Sequence, residues 1–193
     1  MKRTLAMILA VAMLAVCMTG CGIVKIIPKG EEAKYTGVVE FDAGAEAAGD
    51  WANIQTEIIG KAADLVQTLA EQQNGMTYCV SFTATVEEYN TDSPKGYLRV
   101  SVEGVSDEVQ VAVGKVFSGT AVRDSQTFKE YGSFTNQTEW SAYAKTVNAE
   151  VLTNVVEPLG DLNALVGASI EVVGCYTPGA GAIVVTPVSV TVQ

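Results

Sequence analysis

The chain contains no histidine, so the side chain that titrates nearest neutrality, and that serves most often as general base or metal ligand, is missing. That argues against most hydrolase and zinc-site mechanisms. Basic residues are scarce, 12 Lys and Arg against 22 Asp and Glu, and the formal charge of −10 repels phosphate backbones and anionic headgroups alike. Nucleic acid is therefore not an expected partner, and neither is electrostatic docking on a bilayer. No Asp-x-Asp-x-Asp-Gly loop is present to hold calcium. The glycine-rich Thr177-Pro178-Gly179-Ala180-Gly181 opens no helix, so it cradles no phosphate. No cofactor and no enzymatic activity are expected on these grounds. Long apolar runs are also lacking: Leu5 to Val16 is uncharged, but it falls short of the roughly 20 residues that a spanning helix needs.

What that run does resemble is an export signal. Lys2 and Arg3 form a basic start, the apolar stretch follows, and Met18-Thr19-Gly20-Cys21 resembles a bacterial lipobox, after which the cysteine becomes N-terminal and is acylated. Residues 1–20 are read as a lipoprotein signal peptide and Cys21 as the lipidation site; an ordinary cleaved signal with a leftover thiol is the alternative. Each buried methylene of an acyl chain contributes about 0.8 kcal/mol, so two or three chains hold a protein firmly at a membrane. Loss of Lys2 and Arg3 takes the charge from −10 to −12, and the 173 residues that remain suit one domain with an appendage.

Residues 21–48, with Pro28 and Gly30 among alternating charges, read as lipid anchor and tether. Trp51, Ile54, Ile58, Leu65 and Leu69 share one face of a 3.6-residue repeat, which predicts an N-terminal helix over 49–75. Asp50 is placed to cap it and Asn74-Gly75 to stop it. From 76 onward the period changes to two. Tyr78 to Val86, Leu98 to Val102 and Val109 to Val113 each alternate apolar with polar residues, as strands with one buried face do. A helix over about 136–156 follows, with Trp140, Ala144, Val147, Val151 and Val155 in line and Asn136 and Glu139 spaced as a capping box. Ser169 to Tyr176 and Ala182 to Val192 are two further strands. Three strands, a helix and two strands is the order of the OB-fold, a five-stranded barrel with its helix between strands three and four. The expected class is α+β, mainly β, over 76–193, with an open antiparallel sheet under one helix as the alternative.

Several pieces carry a family resemblance: Gly22-Ile23-Val24-Lys25-Ile26, Phe41-Asp42-Ala43, Trp51, Lys61-Ala62-Ala63-Asp64-Leu65, Gly119-Thr120-Ala121-Val122-Arg123-Asp124, Phe134-Thr135-Asn136-Gln137 and Val184-Val185-Thr186-Pro187-Val188. In this order they resemble domain-of-unknown-function family 2291, the predicted periplasmic lipoproteins. The resemblance implies an accessory role beside ribose-type ABC sugar transporters, with a substrate-binding protein or permease as partner. It supplies no catalytic residues.

Polar residues concentrate on the connection over 114–135. Thr120, Arg123 and Asp124 there, with Asn136 and Gln137 beyond it, offer the planar donors and acceptors that bind sugar hydroxyls. Two readings stand: a ligand or partner site, or a polar knot in which Arg123 pairs Asp124 or Glu139 and Asn136 caps the helix. The carboxylates of Glu40, Asp42, Glu46 and Asp50, and of Glu87 and Glu88, read as a solvated face. Cys79 and Cys175 both fall on the outward side of strands that an OB barrel pairs antiparallel. They are expected as a disulfide in an oxidising compartment or as a close pair of thiols, with two unrelated thiols as the alternative.

Overall fold

The computed structural model describes residues 41–193. Cys21, the expected signal peptide and the expected tether up to residue 40 lie outside the described residues.

Helix α1 (Ala43–Lys61) starts where Asp42 turns its carboxylate onto the backbone N–H groups of Gly44 and Ala45, at 2.9 and 3.0 Å. Ala47, Trp51, Ile54 and Ile58 form its buried stripe. The helix expected over 49–75 therefore begins earlier, inside the segment read as tether, and its cap is Asp42 and not Asp50. It also stops sooner. Ala62 is extended, Ala63 and Asp64 form a two-residue strand β1 (Ala63–Asp64), and Asp64 caps a separate short helix α2 (Leu65–Glu71) through the Gln67 N–H at 3.0 Å. Gly60 thus sits in a last turn, where its helix cost is small.

The strands are β2 (Tyr78–Asn90), β3 (Tyr97–Ser101), β4 (Val109–Ala112), β5 (Ser169–Tyr176) and β6 (Ile183–Val192). Neighbours run in the order β2-β3-β4-β6-β5, and β2 pairs again with β5, which closes a five-stranded barrel. All pairings in the barrel are antiparallel except β4 with β6. Val80, Phe82, Ala84 and Val86 of β2, Leu98 and Val100 of β3, Val109 and Val111 of β4, and Ile170 and Val172 of β5 are all buried. The alternation read from the sequence matches this inner face.

Between β4 and β5 lie a short helix α3 (Ala121–Ser125), a 3-10 turn (Tyr131–Ser133) and helix α4 (Gln137–Val151). The expected helix over 136–156 loosens after Val151 into a π turn (Leu152–Val156) and a 3-10 turn (Glu157–Leu159), where Pro158 cannot continue the ladder. Helix α4 packs against α1, burying Tyr143, Ala144, Val147 and Val151. A register shift in the β5–β6 ladder leaves Val188 unpaired, and the Gln55 side-chain amide of α1 donates to its carbonyl at 2.8 Å. That bond ties the helix layer to the barrel.

Candidate functional site

On the connection over 114–135 most of the polar groups expected to form a site are engaged with one another. Arg123 lies on α3 with its side chain only 10% exposed; its Nε and Nη2 both donate to Asp124 Oδ1, at 2.7 and 2.6 Å. Its guanidinium carbon lies 4.0 Å from the centre of the Trp140 ring, and Nη1 donates to the Trp140 carbonyl at 3.4 Å. Thr120 Oγ1 donates to the other oxygen of Asp124 at 2.5 Å. Asn136 accepts from the Glu139 N–H at 3.0 Å as the cap of α4, while the Glu139 carboxylate accepts from Thr135 N at 2.8 Å, one residue earlier than a capping box requires. Gln137 is exposed on the first turn. The geometry is that of the polar knot, and of the five residues Thr120 alone also lines the groove over β3, β4 and β6.

The acidic residues around α1 are likewise occupied. Asp50 accepts from Lys129 Nζ and, at 2.8 Å, from the hydroxyl of the fully buried Tyr143; Glu46 takes Lys129 from the other side at 2.5 Å. Burial alone would lower the pKa of Lys129, but the two carboxylates outweigh it and hold the ammonium above its ordinary value. Burial, with Asp50 beside it, pushes the Tyr143 phenol far up. Glu57 accepts from Lys61 and from the backbone and hydroxyl of Thr127, which together overcome burial and lower its pKa. Glu87 and Glu88 flank Arg99 across the sheet.

The open groove lies over the outer face of β3, β4 and β6 and has a volume of about 420 Å³. Its floor follows from the register: Tyr97 pairs with Ala112, and Gln110 with Val184, so these four side chains share one face of three adjacent strands. The turn between β2 and β3 contributes Ser93 and Lys95, the chain beyond β5 contributes Thr177, and the segment after β4 contributes Val116, Ser118 and Thr120. Gly114 fixes these walls, because a Cβ there would come within 2.3 Å of the Lys95 carbonyl carbon and 2.5 Å of the Pro94 oxygen. Val113 N and Val116 N meanwhile bond the Gly96 and Pro94 carbonyls, each at 3.0 Å.

The groove joins an apolar floor to hydroxyl, amide and ammonium groups. Among the described residues no carboxylate lines it, despite the acidity of the whole chain. Lys95 has no ion-pair partner among the described residues, and Thr186, 5% exposed, makes no side-chain hydrogen bond among them. A hydroxyl that opens onto a groove without a protein partner is free to accept from or donate to a ligand. Sequence reasoning passed over Tyr97, Gln110 and Thr186. The signal was an aromatic ring at an outward position of a barrel strand, which the alternation of β3 does place.

Cys79 and Cys175 are directly opposed across β2 and β5, with their sulfurs 4.0 Å apart and both thiols free. The outward face expected to be wet is covered at this point by the end of α1 and by α3, and Cys175 is completely buried. Its S–H points to Cys79 Sγ. That bond, with Ser125 and Lys61 close by, lowers the Cys79 pKa to about 7 against the opposing effect of burial, while Cys175 is pushed well up.

A family model described as predicted periplasmic lipoprotein (DUF2291) matches residues 11–191. No curated protein matches the chain. Among solved structures, an OB-fold protein from Thermotoga maritima is similar with a TM-score of 0.63 at 17% identity, over 80% of this chain and 100% of that one. That likeness establishes the barrel as an OB-fold.

Proposed function

Because the chain belongs to the DUF2291 family of predicted periplasmic lipoproteins, and so works outside the cytoplasm on a lipid anchor, we propose that its barrel is a non-catalytic binding module of a sugar-type ABC uptake system. Lipid on Cys21 is the anchor in this reading, and a substrate-binding protein or permease is the partner. The observation that carries it is the groove over β3, β4 and β6. OB barrels use the face of their second and third strands, flanked by the loops after the first and fourth, to bind oligosaccharides and oligonucleotides. Here those are β3 and β4, with Ser93 and Lys95 from one loop and Thr177 from the other. The acidic chain disfavours the polyanion. Tyr97 offers a ring face for the apolar side of a sugar, while Gln110, Ser118 and Thr186 offer groups for its hydroxyls.

Among the described residues the lining has no carboxylate or thiol, so a general acid or base there would have to come from Lys95 or Tyr97, which supports binding over catalysis. A structural envelope lipoprotein without a small-molecule ligand is the second reading, and the internally satisfied Arg123 knot favours it. Titration calorimetry of the lipid-free domain against a panel of neutral and acidic mono- and oligosaccharides separates the two, with crosslinking capture from intact cells beside it. The binding reading expects saturable heat that Tyr97→Ala and Thr186→Val abolish without lowering the melting temperature. No saturable binding, with capture of envelope scaffold proteins alone, would establish the structural reading.

A further inference from the structure

The paired cysteines lie on the strand pair that makes the barrel a barrel. In the order β2-β3-β4-β6-β5, the β2–β5 ladder is the closing seam, and Cys79 and Cys175 sit opposite each other near one end of it. Directly opposed antiparallel residues have Cα separations of about 4.5 to 5.5 Å, inside the window that a disulfide accepts. The 4.0 Å between the sulfurs is thus closed by side-chain rotation, with no strand displaced. The two thiols are not equivalent. Cys79 is partly open to solvent, whereas Cys175 is completely buried and donates its S–H toward Cys79.

We propose that Cys79 and Cys175 are a reactive dithiol that closes to a disulfide across the barrel seam, with Cys79 attacking an external disulfide and Cys175 resolving the product. The space outside the cytoplasm supplies oxidants of the thiol–disulfide oxidoreductase class. The Cys79 thiolate attacks one sulfur of the external disulfide RS–SR; that bond breaks, and the first RS⁻ leaves with the electron pair. Cys175 then gives its proton to the departing thiolate or to water and attacks Cys79 Sγ. The mixed disulfide breaks and the second RS⁻ leaves. Two protein thiols are oxidised and RS–SR is reduced to two RSH once the released thiolates take up the two protons. Lys61, close to the pair at the end of α1, favours the thiolate that starts the sequence.

The lipoprotein isolated from membranes under reducing conditions and then exposed to oxidised glutathione tests this. Peptide mapping is expected to recover the Cys79 peptide bridged to the Cys175 peptide, and the oxidised form to melt higher by on the order of 10 °C, because the bridge closes a long loop of chain. Iodoacetamide should label Cys79 in the folded protein, faster as the pH rises through about 7, and Cys175 only after unfolding. Cys175→Ala should stop at one glutathione on Cys79, and Cys79→Ala should take up none. Both cysteines remaining alkylatable after the oxidant would overturn the proposal, as would glutathione settling on Cys175 in the Cys79→Ala protein. A Cys175→Ala protein that melts like the parent yet takes no glutathione would overturn it too.

Discussion

Replacing Arg123 by alanine removes four interactions together: two short hydrogen bonds to Asp124, a ring contact with Trp140 and a long bond to the Trp140 carbonyl. Hydrogen bonds between charged groups contribute about 1.5–3 kcal/mol, and a cation over an indole about 0.5–2 kcal/mol. The bond at 3.4 Å adds little. Asp124 is 34% exposed and keeps Thr120, so it remains hydrated and its stranded charge adds only a minor penalty. The expected loss is about 2–4 kcal/mol, which for a domain of this size lowers the melting temperature by about 5–15 °C. Arg123→Lys should fall between, because an ammonium keeps the charge but neither the planar stack nor the paired donors. The assay is a thermal melt beside ligand or partner binding measured well below the transition. Unchanged melting with binding lost would refute the reasoning and return Arg123 to the role of a contact residue.

Gly114→Ala should destabilise the protein by about 1–3 kcal/mol, because the new methyl meets the backbone of residues 94–96 and the β2–β3 turn must move; urea unfolding measures this, and a neutral result would mean the groove wall is pliable. Lys129 has a raised pKa, so its contribution is complete below about pH 10.5 and is lost as the pH climbs through the folded value; Tyr143 works in the same direction, and urea midpoints from pH 8 to 11 should fall less steeply in Asp50→Asn. Glu57 has a lowered pKa, so its contribution is complete above about pH 4.5 and disappears as the pH falls through the folded value; Glu57→Gln should flatten that acid limb. Cys21→Ala should abolish incorporation of a fatty-acid analogue, and label retained in that protein would place the lipid elsewhere.

How much of this was legible in the sequence depends on whether the cause is local. The strands were, because β2 must bury Val80, Phe82, Ala84 and Val86 while Thr83 and Thr85 stay wet, and that requirement writes itself as a period of two. The break between α1 and α2 was not. Ile58 and Leu65 are seven residues apart and stay in phase for a helix, although β1 intervenes and both are completely buried. The caps were ambiguous for a related reason. Asp42, Asp50 and Asp64 all can cap, and the choice falls to Asp42 and Asp64 because Asp50 is claimed by Lys129 and Tyr143, 79 and 93 residues further along.

The groove is illegible in the sequence and the opposed cysteines are not, for the same reason of locality. Opposing Cys79 and Cys175 requires only the strand order and one register, and both follow once the barrel is assumed. The groove requires a parallel pairing that sets Gln110 beside Val184, a glycine tight enough to fold the chain after β4 onto the β2–β3 turn, and an aromatic ring left outward at Tyr97. None of these alone distinguishes a site from ordinary surface. Arg123 shows the converse: its residue type and loop position suggested ligand binding, but Trp140 lies one helix away with its ring and carbonyl turned to it. A guanidinium given a ring and a carboxylate by its own fold has few donors left, so the available polar chemistry moves to side chains that make no bond among the described residues, Lys95 and Thr186.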